Sequence, residues 1–115
     1  MKQILKTEIS STISIVIPVK GDCKYFSETL QSIHNSELLP LEVLVIDDGI
    51  TPIAKEIINS YANILPISHL KNSGEGLVAA LNTGIKSAKG EFVARIDNDD
   101  LLLPQRLQIQ MDFLK

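Results

Sequence analysis

Apolar residues along this chain fall into short β-branched runs separated by stretches of helical period. Ile13-Ser14-Ile15-Val16-Ile17-Pro18-Val19 predicts a buried strand. Pro18 has no N–H to donate and is expected to end the pairing there. Lys20-Gly21-Asp22 makes a turn, and a helix follows from about Tyr25 to Ser36, with Phe26, Leu30 and Ile33 as its stripe. Ser27 and Asp22 are both candidates for its cap. Leu41 to Ile46 is a second, almost wholly apolar strand, and Asp47-Asp48-Gly49 follows it directly. Thr51-Pro52 is a good N-cap and first-turn pair for a helix to about Ala62, with Ile53, Ile57, Ile58 and Tyr61 on its inner side. Ile64 to Ser68 reads as a short third strand, which Pro66 assigns to a sheet edge. A polar loop, His69 to Gly76, leads into a helix from Leu77 to Ala88 with Leu77, Ala80, Leu81 and Ile85 toward the sheet, closed by Lys89-Gly90.

The fourth strand begins at Glu91. Phe92, Ala94 and Ile96 face one side and Val93 the other, as in a strand buried inside a parallel sheet. A last helix is expected from Pro104 to about Leu114. Strand and helix thus alternate four times, with crossovers of about twenty residues, enough for a helix and two turns. The expectation is an α/β fold, a three-layer sandwich with a mainly parallel sheet joined by right-handed crossovers.

Two acidic groups then matter, because both follow strands. Asp97-Asn98-Asp99-Asp100 places three carboxylates within four residues, and Asp47-Asp48 adds two more. On an extended backbone Asp97 and Asp99 project to the same side. Carboxylates so close repel one another unless a cation lies among them, and hard divalent ions take oxygen ligands together with substrate phosphates. Ligands of open α/β sheets sit at the carboxyl ends of strands, where both clusters fall. The plainer reading is that these residues are turns and caps ahead of Leu101-Leu102-Leu103-Pro104.

Composition narrows the chemistry. The chain has 115 residues, 44% apolar and 22% charged, with a net charge of −3. That fits one globular domain over residues 1–115 and gives no electrostatic footprint for nucleic acid. The lone Cys23 excludes an internal disulfide and makes a reducing, cytoplasmic setting the default. No apolar run approaches the ~20 residues of a membrane span. Met1 to Ser11 lacks the apolar core of a secretory signal and reads as a polar leader. A dinucleotide fingerprint would follow the first strand, where Pro18-Val19-Lys20-Gly21 stands instead, and no P-loop is present. Two histidines and one cysteine assemble neither a hydrolase triad nor a zinc site. A metal-assisted site for a phosphorylated ligand remains.

Five segments in order sharpen this: Ser14-Ile15-Val16-Ile17-Pro18, Val45-Ile46-Asp47-Asp48-Gly49, Leu81-Asn82-Thr83-Gly84-Ile85, Ala88-Lys89-Gly90-Glu91-Phe92 and Ile96-Asp97-Asn98-Asp99-Asp100. Together they resemble the N-terminal, nucleotide-sugar-binding half of family 2 glycosyltransferases. The resemblance implies a Rossmann-like glycosyltransferase-A fold and a nucleoside-diphosphate sugar donor, a UDP-sugar first among the candidates. It implies that Pro18 and Val19 line the base and ribose pocket and that Asp47 bonds the base. Asp97, with Asn98, would meet the nucleotide, and Asp97 and Asp99 would hold a divalent cation, Mg²⁺ or Mn²⁺. Two departures stand out: Leu81 where the family often has Arg, and Ile50 where it usually has Ser. The resemblance also places the acceptor wall and a catalytic Asp or Glu base beyond Lys115. The 115-residue chain is then a donor-binding half, inactive alone. Its parent transfers the sugar, with inversion, to a saccharide or lipid-linked hydroxyl at the inner face of the membrane. A non-catalytic module binding the same ligand is the alternative. Leu101, Leu102, Leu103, Leu107, Met111 and Leu114, left uncovered, would favour homo-oligomers.

Overall fold

The computed structural model describes residues 13–114; the leader expected at Met1 to Ser11 lies outside them. Four strands, β1 (Ile13–Gly21), β2 (Glu42–Ile50), β3 (Ile67–Lys71) and β4 (Phe92–Arg95), alternate with α1 (Phe26–His34), α2 (Pro52–Tyr61), α3 (Gly76–Ser87) and α4 (Arg106–Leu114). All the strand pairs are parallel, in the order β3-β2-β1-β4. The α/β class with its parallel sheet is therefore as expected. Among the described residues, no helix is long and apolar enough to cross a membrane.

Crossover handedness explains the layers. The chain steps from β1 to β2 to β3 in one direction, so right-handed crossovers put α1 and α2 on the same face. It then returns past β1 to β4, and the reversed step puts α3 on the opposite face. The core divides accordingly. Ile13, Ile15, Ile17 and Val19 pack with Phe26, Leu30 and Ile33 of α1, Ala54 and Ile58 of α2, and Leu107 and Met111 of α4. Across the sheet, Val16, Leu44 and Ile46 pack on Ala80 of α3.

Several local expectations change. β1 does not stop at Pro18 but continues to Gly21, with Pro18 opposite Ile46 and Val19 opposite Asp47. Val16, two residues earlier, turns its carbonyl to the β4 side, where it accepts from Ile96 N–H. Pro18 therefore turns its missing donor to the same side, beyond the end of the β4 ladder at Arg95, so no ladder bond is lost. β3 is an edge strand, as Pro66 suggested, but runs Ile67–Lys71 and so takes in His69, which was expected in the loop. Pro66 contributes only its carbonyl, to Val43 N–H.

β4 is not interior. It is the other edge of the described sheet, so only its Phe92–Ala94 side meets the core and Val93 is 42% exposed. α1 keeps its predicted stripe but has no side-chain cap, from Ser27 or Asp22. Thr51 does cap α2, accepting from Ala54 N–H, yet α2 buries Ala54 and Ile58 while Ile53 lies exposed. α3 meets the sheet through Ala80 and Gly84, leaving Leu77 and Ile85 exposed. In the final segment Leu102, Leu107 and Met111 are buried, whereas Leu101 and Leu103 face solvent. The side chain of Leu114 is outside the described set.

Candidate functional site

The strand order reverses between β1 and β4, and an open α/β sheet binds ligands at the carboxyl ends beside such a reversal. A cavity of about 410 Å³ lies there. Pro18, Val19 and Lys20 from the end of β1, Asp48 from β2, Gly76, Leu77 and Ala80 from α3, and Arg95, Asp97, Asn98 and Asp99 after β4 line it. Of the residues expected from sequence, Pro18, Val19, Asp97, Asn98 and Asp99 meet at this one place.

The acids come together by a different route from strand alternation. Residues 97–100 fold as a turn, in which Asp100 N–H donates to Asp97 C=O at 3.1 Å and Asp97 N–H donates to Asp100 Oδ2 at 3.0 Å. The turn itself therefore gathers the acids. Asp97, Asp99 and Asp100 each present a carboxylate oxygen within 4.8 Å of the other two, a donor set that fits a hard divalent cation. Asp100, which sequence reasoning did not assign, is the added member. Arg95 Nη2 reaches Asp97 Oδ1 at 3.1 Å and offsets part of this charge. Asn98 ties the turn to its surroundings. Its Nδ2 donates to Pro18 C=O at 3.2 Å, and its own C=O accepts from Thr29 Oγ1 at 3.0 Å.

Asp47 lies elsewhere. It pairs with Val19 in register and points, like Val43 and Val45, to the face that carries α1 and α2. There it lines a second cavity of about 500 Å³ with His69, Lys71, Asn72 and Gly74. Its Oδ1 accepts the N–H groups of Gly49 and Ile50 at 2.8 and 3.0 Å, and its Oδ2 meets His69 Nε2 at 2.8 Å. Partial burial alone would push this carboxyl up. The hydrogen bond from His69 and the two backbone donors overcome that and hold it below the usual aspartate range.

Asp48, its neighbour, points the other way and borders both cavities. It accepts from Asn72 Nδ2 at 3.0 Å and from Gly76 N–H at 3.1 Å. Those bonds fix the loop that opens α3, where Gly76 has φ +85°. Each Asp48 oxygen keeps a free lone pair. Lys20, Asp48 and Arg95 were missed from sequence. The signal for Asp48 was its parity, one residue off Asp47 and so on the opposite face. Cys23 is buried, its thiol pushed up by that burial, and it does not line the cavity.

The family model described as Glycosyl transferase family 2 matches residues 14–115. An uncharacterized glycosyltransferase of Rickettsia bellii is 32% identical over 114 residues, which is 99% of this chain and 16% of the relative. Glycosyltransferase GlyG of Streptococcus pneumoniae is 33% identical over 97 residues, 82% of this chain and 32% of the relative. Among solved structures, S. aureus TarS 1-349 in complex with UDP-GlcNAc has a TM-score of 0.80 at 29% identity, covering 90% of this chain and 31% of that one. The chain thus spans from 16% to 32% of the length of these relatives.

Proposed function

This chain belongs to glycosyl transferase family 2, and we propose that it forms the part that binds a nucleoside-diphosphate sugar. The observation that carries the reading is that Asp97 and Asp99, with Asp100 clustered beside them, line the cavity where the strand order reverses. Three carboxylates would repel a diphosphate, so a cation is needed for the two to share the cavity. Asp97 and Asp99 are its holders, with Asp100 in reach, and Mg²⁺ or Mn²⁺ suits their oxygens. Such an ion supplies charge neutralisation for the departing nucleoside diphosphate.

The chain's own residues do the rest. Pro18 and Val19 form one wall for the nucleoside, Asn98 holds that wall to the acid turn, and Lys20 offers a cation to phosphate oxygens. The contact to the base, first expected of Asp47, suits Asp48 better, because Asp48 lines this cavity and Asp47 does not. TarS is described with UDP and with UDP-GlcNAc, which supports a UDP-sugar as donor.

We place the acceptor wall and the base in the sequence that the longer relatives have in addition. In such a protein a carboxylate would take the proton of an acceptor hydroxyl, on a saccharide or a lipid-linked glycan. The freed oxygen would form the new bond to the anomeric carbon as the bond to the diphosphate breaks, with inversion. A 115-residue chain without that base is expected to give no sugar transfer at ordinary rates, since acceptor positioning is a large part of such catalysis. The free thiol of Cys23 suits a cytoplasmic setting. The non-catalytic alternative has no observation in its favour.

Amide chemical shifts followed during titration with UDP and Mg²⁺ test the reading. Shifts should concentrate at Val19, Lys20, Asp48, Gly76 and Asn98. Shifts confined to Gly49, His69 and Lys71 would move the ligand to the other cavity and overturn it.

A further inference from the structure

Lys20 and Arg95 are the cationic side chains that line the cavity at the acid turn, against Asp48, Asp97 and Asp99, with Asp100 beside them. Arg95 ends β4 and pairs in register with Val16, whose side chain packs on the α3 face of the sheet. In-register neighbours turn to the same face, so the guanidinium lies on the side where the cavity opens. There its Nε and Nη2 both donate to one oxygen, Asp97 Oδ1, each at 3.1 Å. Both side chains are about half exposed, 47% for Arg95 and 48% for Asp97. An ion pair so exposed contributes little to folding. The guanidinium nonetheless keeps its charge at any ordinary pH, one carboxylate away from the expected cation.

Resting on the donor reading above, we propose that Arg95 makes this site take up its divalent cation as a nucleotide complex rather than as the bare ion. Electrostatics sets the signs. Bare Mn²⁺ or Mg²⁺ carries two positive charges, and the guanidinium across Asp97 repels it. A nucleoside diphosphate surrounds the ion with phosphate oxygens, and the complex is a net anion that the same guanidinium attracts. Asp97 is not blocked by the pairing. Both donors sit on Oδ1, so Oδ2 can still meet the ion, from a carboxylate that its hydrogen bonds hold in one orientation. The guanidinium donors that Asp97 does not use can reach phosphate oxygens. The effect is large enough to read. A unit charge and a divalent ion one carboxylate apart change affinity by about tenfold even at the dielectric constant of water, and salt screens the rest of the protein more than this close pair. A merely structural contact gives another pattern, because loosening Asp97 would weaken the bare ion and the complex together.

Loss of the free-ion electron paramagnetic resonance signal measures binding of Mn²⁺ alone. Calorimetry with equimolar Mn²⁺ and UDP measures binding of the complex, both at low ionic strength and with far-UV circular dichroism to confirm folding. Arg95→Gln should bind bare Mn²⁺ about tenfold more tightly than the wild type, and the complex about fivefold or more weakly. Arg95→Lys, which keeps the charge without the fork, should stay within about twofold of the wild type in both constants. Two constants that move in the same direction would reduce Arg95 to a structural contact and overturn the proposal. So would an Arg95→Gln chain that binds bare Mn²⁺ no better than the wild type, or an Arg95→Lys chain that behaves like Arg95→Gln. In each of those cases the wild type still binds the complex, and the donor reading stands. A wild-type chain that binds no Mn²⁺–UDP complex would overturn the donor reading and this proposal with it.

Discussion

Both oxygens of Asp47 accept hydrogen bonds from within the chain, and the pairing with His69 is the part that sequence could not supply. The sequence puts His69 in a loop because the run Ile64 to Ser68 sets the expected third strand three residues before the observed one. With β3 starting at Ile67, Val45 pairs with His69 in register, and both side chains turn to the face that Asp47 occupies. The pair has a consequence for stability. Folding lowers the Asp47 pKa, so the folded state favours the carboxylate more than the unfolded chain does. The stabilisation is fully present above the ordinary aspartate range and is lost as pH falls through that range toward the lower folded value. Asp47→Asn should therefore flatten the acid limb of a stability-against-pH curve measured by urea unfolding, and an unchanged limb would contradict the assignment. Cys23 gives a second expectation at this scale. Burial raises its thiol pKa, so native protein should react with a thiol reagent far more slowly than unfolded protein.

At the scale of single elements, the strands were more legible than the helix faces. β-branched runs name a buried strand by composition, and β1 and β2 lie where those runs are. Helix stripes depend on what the helix meets. α1 lies between sheet and neighbouring helices, and its Phe26, Leu30 and Ile33 are all buried as spaced. α3 is the one described helix on its face, and it approaches β1 so closely that the contact residue is Gly84 rather than a large apolar side chain. A Cβ built on Gly84 would sit 2.5 Å from Val16 Cγ1. Gly84→Ala sets two effects against each other. Helix propensity gains about 1 kcal/mol, whereas overpacking against a stiff β-branched core residue costs about 1–3 kcal/mol. The variant should be destabilised in urea unfolding. Combination with Val16→Ala should cost less than the two changes summed, because the methyl groups that clash are gone. A Gly84→Ala protein as stable as the wild type would show that α3 does not pack this closely.

For the molecule as a whole, strand–helix alternation made the fold class readable, and the position of both acid clusters after strands made the rim readable. Which face each acid takes was not readable, because that depends on register and on the turn at residues 97–100. Nor was the exposure of Val93 on β4, since the run of Phe92, Val93 and Ala94 looks alike whether one face or two are covered. The central claim is that the cavity between β1 and the acid turn binds a nucleoside diphosphate through a divalent cation on Asp97 and Asp99. Calorimetric titration of UDP into wild type, Asp99→Ala and Asp47→Ala, each with and without Mn²⁺, tests it most directly. Binding to wild type should require Mn²⁺. Asp99→Ala should weaken it by at least about tenfold, while Asp47→Ala keeps its metal dependence. Equal losses in the two variants, or affinities that Mn²⁺ does not change, would contradict the account.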